Sequence, residues 1–317
     1  MKQIQNITQN MGSNLQKRKL QTVSIPSGLE PLDNLTGGFP IGLTVLGGNT
    51  GIGKTAFSLQ VAGQISSAGK PVLFFETETS QDILASKLVS QKQFTQDRKT
   101  ALTTDQILYG IEPTEEQSAA YEAALSQVEQ CGNLHFFVAD ETGITVSDIA
   151  EAIQEVKAET NQNPVVFVDY LQLLSPPEGV DIADEKTITG SNVVSLYRLA
   201  HKEQIAIVAL SAFNRENYTA EVNTASFKGS GQIEYVADLL LGLQFHKDAP
   251  TDEPWNENPR PMELVVIKNR IGPSKQTAVM EFYPEYGYFT KPLPPERTDG
   301  ADIIITNGKD DDDELFQ

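Results

Sequence analysis

The sequence predicts an α/β fold: a mostly parallel sheet covered by helices, with an antiparallel extension toward the C-terminus. Three observations carry this expectation. Short apolar runs at 43–46, 72–75, 134–138, 165–168 and 205–210 alternate with longer stretches of helical periodicity, the pattern of strands joined by crossover helices. Val165-Val166-Phe167-Val168 is apolar at four consecutive positions, as a strand buried on both faces must be. Beyond Ser211 the pattern changes to shorter strands joined by loops, at about 237–245, 263–268 and 278–282, which suits antiparallel pairing at one edge.

Taken in order, residues 1–21 form an arm in which Ile4, Ile7, Met11 and Leu15 recur at spacings of 3, 4 and 4. So narrow a stripe does not hold a helix alone and is expected to dock on something. Ile25-Pro26-Ser27-Gly28 opens a turn into Leu29-Glu30-Pro31-Leu32-Asp33, and Gly37-Gly38-Phe39-Pro40 leads to the first strand. After the strand 72–75, Thr79 or Ser80 caps a helix with Ile83, Leu84 and Leu88 on one face. Pro113-Thr114-Glu115-Glu116-Gln117 is a capping-box start for a helix to about 130, and 145–159 and 192–203 read as further helices. The end of the chain, Asp310-Asp311-Asp312-Asp313-Glu314-Leu315-Phe316-Gln317, belongs to an acidic tail over 293–317 that is expected to be disordered.

The stretch Gly48-Asn49-Thr50-Gly51-Ile52-Gly53-Lys54-Thr55 reads G-x-x-x-x-G-K-T, with a strand before it and a helix opening at Ala56 after it. Its glycines let the backbone curl until N–H groups point inward, and the helix adds its positive end, which makes a nest for a polyphosphate. Lys54 supplies a charge to the β- and γ-phosphates and the Thr55 hydroxyl a hard oxygen for Mg²⁺. Asp169, at the C-terminal end of the buried strand 165–168, faces the crevice where such sheets bind ligands and is the second candidate for Mg²⁺. Hydrolysis needs a base near the γ-phosphate, and either Glu76 or Glu78, at the end of the strand 72–75, is placed for it. If both lie in extended chain they share a face, and the second must turn to solvent or pair with a cation.

Composition bounds the function. With 24 Lys+Arg against 43 Asp+Glu, the net charge of -19 argues against a broad basic face that coats nucleic acid. It leaves room for a narrow basic channel, because phosphate binding depends on local charge. No apolar run approaches the roughly 20 residues that span a bilayer. The polar N-terminus lacks the apolar stretch of a signal peptide, so a cytoplasmic protein with no membrane partner is expected. The single cysteine, Cys131, agrees with a reducing compartment. His135, His201 and His246 show no ligand-like spacing.

The residues then amount to a resemblance. Pro26-Ser27-Gly28…Leu32-Asp33, the G-x-x-x-x-G-K-T loop, Phe74-Phe75-Glu76-Thr77-Glu78, Val168-Asp169-Tyr170-Leu171-Gln172-Leu173-Leu174, Ala209-Leu210-Ser211-Ala212-Phe213-Asn214-Arg215 and Lys268-Asn269-Arg270-Ile271-Gly272-Pro273 stand in this order. Together they resemble the RecA-like motor domain of the DnaB family of hexameric replicative helicases. The resemblance runs from about residue 22 to 285. It implies a RecA-like P-loop ATPase core over 22–292 that uses ATP and Mg²⁺, forms a homo-oligomeric ring, a hexamer, and moves on single-stranded DNA to unwind duplex. In that family Glu78 matches the catalytic base, and Lys268 with Arg270 match the cations that reach a neighbouring subunit's nucleotide. Ser226 to Glu234 resembles the loop that tracks DNA in the channel, with Lys228 meeting phosphates and the N–H groups of Gly229 and Gly231 adding neutral donors. The arm resembles the linker helix that packs on the adjacent subunit.

Three departures accompany the resemblance. Ala212 stands where the family has a glutamine sensing the γ-phosphate, and can make no such hydrogen bond, so that Ser211 or Asn214 is left to substitute. Gly229 stands where an acid is usual. The family's N-terminal helical domain does not precede the arm, which fits a minimal helicase of a phage, plasmid or similar element. Two other readings stay open: a ring ATPase that acts as loader or as a regulatory or DNA-organising subunit without unwinding, and a nucleotide-binding scaffold. The acidic, Phe-containing tail resembles tails that recruit replication partners by charge and an aromatic anchor.

Overall fold

The computed structural model describes residues 24–141, 143–176, 184–214, 222–227, 230–247 and 253–292. The expected arm (1–21), the acidic tail (293–317), and Lys228 and Gly229 of the expected DNA loop lie outside the described residues.

Strands and helices follow one another as β1 (Ser24–Ile25), α1 (Glu30–Thr36), β2 (Phe39–Pro40), β3 (Gly42–Gly48), α2 (Lys54–Ser67), β4 (Val72–Glu76), α3 (Gln81–Gln96), α4 (Thr104–Tyr109), α5 (Glu115–Glu129) and β5 (Leu134–Val138). Then come α6 (Val146–Thr160), β6 (Val165–Asp169), α7 (Glu185–Glu203), β7 (Ala206–Ala212), α8 (Ser230–Val236), β8 (Leu239–Phe245), β9 (Arg260–Asn269), β10 (Gln276–Tyr283) and β11 (Tyr288–Thr290). Among the described residues β3 to β11 form one nine-stranded sheet in the order β11-β10-β9-β8-β3-β7-β6-β4-β5. The stretch from β8 to β5 is parallel and the remaining strands antiparallel.

The sheet is buried on both faces, and its side chains divide by the strand period of two. On β4, Val72 and Phe74 enter one apolar cluster with α2 and α3, whereas Leu73 and Phe75 enter another with α6 and α7. Phe74 stacks on Phe167 at 5.8 Å between ring centroids, and Phe39 meets Phe167 edge-on at 6.0 Å. Each such fully buried ring contributes about 1.5–3 kcal/mol of transfer free energy.

Local chemistry sets the ends of the elements. Thr103 with Gln106, Thr114 with Gln117, and Thr145 with Asp148 make reciprocal capping boxes at the starts of α4, α5 and α6. Ser80 occupies the cap position of α3 but its side chain makes no capping bond. The Pro26-Ser27-Gly28 turn is organised by Asp33. Its carboxylate accepts hydrogen bonds from the Ser27 N–H at 2.8 Å, the Ser27 hydroxyl at 2.7 Å and the Gly28 N–H at 3.0 Å. This turn opens α1, a helix that the sequence pattern had shown only as a turn.

One expectation is corrected. The run 237–245 is not part of the antiparallel extension, since β8 pairs parallel with β3, Thr44 opposite Leu239 and Gly48 opposite Leu243. The connection from β7 carries α8 and crosses back over the sheet, which returns β8 in the same direction. Antiparallel pairing begins only with β9.

Candidate functional site

The phosphate loop joins the end of β3 to the start of α2. Gly53, the residue before α2, has φ 103°, and Gly51 has φ 76°, both in the left-handed region that favours glycine. At Gly53 there is a second reason: a methyl there would come within 2.9 Å of the Phe289 ring. Ile52, between them, is 1% exposed and anchors the loop in the core. The Lys54 ammonium donates to the carbonyls of Gly48 at 2.9 Å and Asn49 at 3.0 Å, which folds it over the loop. Burial lowers its pKa to about 8, against the opposing pull of Asp169 and Glu78.

The acid cluster stands beside it. Asp169 ends β6, two strands from β3, and lies in register with Glu76 on β4. It is 4% exposed, its Oδ2 carries no hydrogen bond among the described residues, and the nearby Thr55 hydroxyl favours its charged form. Burial first, then the neighbouring Glu76, push its pKa up to about 7. Glu76 is buried at 1% exposure, with Oε1 accepting the N–H groups of Glu78 and Thr79, each at 2.9 Å, and Oε2 left without a partner among the described residues. Burial raises its pKa as well. The Thr77 N–H and hydroxyl both donate to the Asp169 carbonyl, at 2.8 and 2.9 Å, which clamps the two strand ends together.

Strand β4 ends at Glu76, so Glu76 and Glu78 do not share a face: the first points into the core and the second is exposed. Glu76 neither turns to solvent nor stands alone, because its charge and that of Asp169 act on Lys87 of α3, whose pKa burial lowers. Motif reading missed Lys87. The available signal was its place one turn after Ile83 on the apolar face of α3, where a lysine needs a partner.

Behind this cluster, the Gln172 amide donates to the Ser211 hydroxyl at 2.8 Å, and its oxygen accepts the Ala212 N–H at 3.4 Å. Ser211 is thus engaged with Gln172. Asn214 donates from its amide to the carbonyls of Ala225 and Phe227, both at 3.2 Å, and ties the end of β7 to the segment that precedes position 228. Gly231 lies in α8 with open space where a side chain would be.

Lys268 and Arg270 lie elsewhere. Lys268 sits opposite Leu240 in the β8–β9 pairing, and the Arg270 N–H bonds to the Asp238 carbonyl, whose own N–H bonds to Leu43. Arg270 is therefore level with the start of β3, about 16 Å along the strands from Gly48 at about 3.3 Å per residue. There the Lys268 ammonium donates to the carbonyls of Glu234 at 2.6 Å and Tyr235 at 3.2 Å. Arg270 donates to the Tyr235 carbonyl at 2.7 Å and to Asp238 Oδ1 at 3.3 Å, with its guanidinium 5.6 Å from the Tyr197 ring centroid. One chain thus brings together the loop, Glu78 and Asp169, and keeps Lys268 and Arg270 apart from them.

A glycine-rich loop feeding a helix, with a buried acid on the second strand over in a parallel sheet, defines a phosphate-loop nucleotide-binding domain. Solved structures agree on the fold. The ATPase domain of G40P superimposes with a TM-score of 0.76 at 22% identity, over 90% of this chain and 99% of that one. A DnaB-like replicative helicase solved to show its interactions with primase gives the same score at 21% identity, over 92% of this chain and 68% of that one. The chain belongs to the DnaB-like helicase C terminal domain family, whose model matches residues 24–291. It is 28% identical over 258 residues to the replicative DNA helicase DnaB of Haemophilus influenzae, covering 78% of this chain and 51% of that protein. It is 26% identical over 282 residues to the replicative DNA helicase DnaC of Bacillus subtilis, covering 87% and 58%. The chain thus spans about half the length of the curated relatives it matches. No described helix is long and apolar enough to cross a membrane.

Proposed function

We propose that the chain is the ATP-hydrolysing motor of a replicative DNA helicase, working as a homo-oligomeric ring, a hexamer, on single-stranded DNA. The observation that carries this is the separation within one sheet: loop, base and metal acid at one end, and Lys268 with Arg270 at the other. A site whose parts stand at opposite ends of the domain is completed by a neighbour packed head-to-tail, and repeated head-to-tail contacts close into a ring.

In this reading the N–H groups of Gly48 to Ala56 cradle the phosphates of ATP, and Lys54 exchanges its two carbonyl partners for phosphate oxygens. Thr55 and Asp169 suit Mg²⁺: a buried carboxylate oxygen without a hydrogen bond stands beside a hydroxyl. No group of three or more His, Cys, Asp or Glu among the described residues is arranged to hold a metal ion by itself, so Thr55 and Asp169 would hold Mg²⁺ together with the nucleotide. When bound, Mg²⁺ neutralises charge on the phosphates. Glu78, at the mouth, orients the attacking water, and Glu76 holds the Glu78 backbone in place. Arg270 of the adjacent protomer presents a planar fork to the transferring phosphoryl group, with Lys268 beside it. Lys228, Gly229 and Gly231 face the DNA, Asn214 links that segment to β7, and the acidic tail is a recruitment surface for replication partners.

The steady-state ATPase rate with and without single-stranded DNA, with Lys54→Ala as the blank, tests the proposal. Stimulation by DNA that Lys228→Ala abolishes is expected, followed by unwinding of a forked duplex. A rate indifferent to DNA overturns the motor reading in favour of a regulatory or loading ring ATPase. Ala212, whose side chain cannot sense a phosphate, favours that second reading.

A further inference from the structure

Phosphate loop and acids account for the triphosphate and leave the base without a partner. Trp255, the single tryptophan of the chain, stands beside the phosphate loop. It lies in a 3-10 turn, Pro254–Asn256, between β8 and β9, and its ring flanks the phosphate loop: a methyl at Gly51 would lie 3.6 Å from its Cζ3. It is 42% exposed, so that part of its ring is open to solvent. Yet it is held firmly. Phe245 meets it edge-on at 4.6 Å, the Arg260 guanidinium lies 5.5 Å from its ring centroid, and Arg260 Nε donates to its carbonyl at 3.1 Å. Arg260 is itself steadied by the Phe282 ring at 6.0 Å.

An exposed ring that is fixed from behind and placed beside a phosphate nest has the properties of a stacking platform. We propose that Trp255, backed by Arg260, receives the base of the nucleotide held by the phosphate loop. The inference rests on the nucleotide-site reading above and adds the recognition of the base. Stacking uses a ring face and not its hydrogen-bonding edge, so the platform accepts purine triphosphates as a class and discriminates weakly between adenine and guanine.

Trp255 reports on itself. Its fluorescence is followed during titration with Mg²⁺-ATP and with Mg²⁺-tripolyphosphate, which offers the phosphates without a base, and both affinities are measured by calorimetry. The expected result is a change in Trp255 emission with ATP and none with tripolyphosphate. Trp255→Ala weakens ATP and GTP about tenfold, within the range for base–aromatic stacking, and leaves tripolyphosphate unchanged, while Trp255→Phe retains most of the affinity for ATP. Equal effects of Trp255→Ala on ATP and tripolyphosphate, or no effect on either, overturn the proposal. Failure of the underlying site has a different signature: Lys54→Ala would then leave both ligands bound as tightly as before.

Discussion

The two ends of the parallel sheet carry charge in opposite states of satisfaction. At the C-terminal ends of the strands, Glu76 and Asp169 are buried side by side, and each keeps one carboxylate oxygen without a hydrogen bond among the described residues. At the N-terminal ends, Asp238 accepts the Leu43 N–H at 2.9 Å, meets His201 at 2.9 Å and pairs with Arg270 at 3.3 Å, while Lys268 and Arg270 take backbone carbonyls at the end of α8. Burial of an unpaired charged group costs free energy, and a fold keeps such a group where a ligand will complete it. The first end is therefore built to receive something, and the second to hold itself together until a partner displaces some of its bonds.

The largest expected effect tests the receiving end. Glu78→Gln removes the proposed base, and turnover should fall by about a thousandfold while ATP affinity, measured by calorimetry, stays within about threefold. Unchanged turnover would move the base elsewhere. Arg270→Ala tests the other end across the subunit boundary, with turnover expected to fall about a hundredfold or more. In rings mixed from Arg270→Ala and Glu78→Gln protomers, some activity should return wherever an intact base meets an intact arginine. A mixture as inactive as its parents would argue against a site shared between chains.

Asp238→Ala asks whether the second end is as satisfied as it looks. It leaves the Leu43 N–H without its acceptor and takes from Arg270 its paired carboxylate, and chemical denaturation should show a loss of about 2–4 kcal/mol. A loss below about 1 kcal/mol would remove the contrast between the ends. The smallest effect has the opposite sign. The Asp169 pKa is raised from 3.8 to about 7 in the fold, so the native state binds a proton that the unfolded state releases. Its contribution to stability is full below pH 3.8 and is lost as pH rises through about 7. The chain without nucleotide should therefore lose stability between pH 4 and 7, and Asp169→Asn should flatten that slope and raise stability at pH 7. A slope that survives Asp169→Asn would assign it to another group.

Much of this was legible in the chain itself. The phosphate loop, the strand before it, Asp169 at the end of an apolar run and the capping box at Thr114 are local patterns, in which a few neighbouring residues fix backbone and chemistry together. Where side-chain direction depends on what lies across the sheet, local pattern was silent. Glu76 and Glu78 differ by two positions, yet one is core and the other surface, because β4 ends between them.

The sequence by itself determined the alternation of the main parallel strands with helices, the glycine-rich loop and the acids available beside it, because these depend on period, glycine and spacing within a few residues. Only the tertiary structure decided that β8 runs parallel to β3, that Lys87 stands near Glu76 and Asp169, that Gln172 takes up Ser211, and that Trp255 leans on Gly51. Each of these joins residues far apart in the chain, and which of them meet depends on strand order and crossover direction, set by burial of both faces of the sheet at once. The same cause places Arg270 at the end of the sheet away from Gly48.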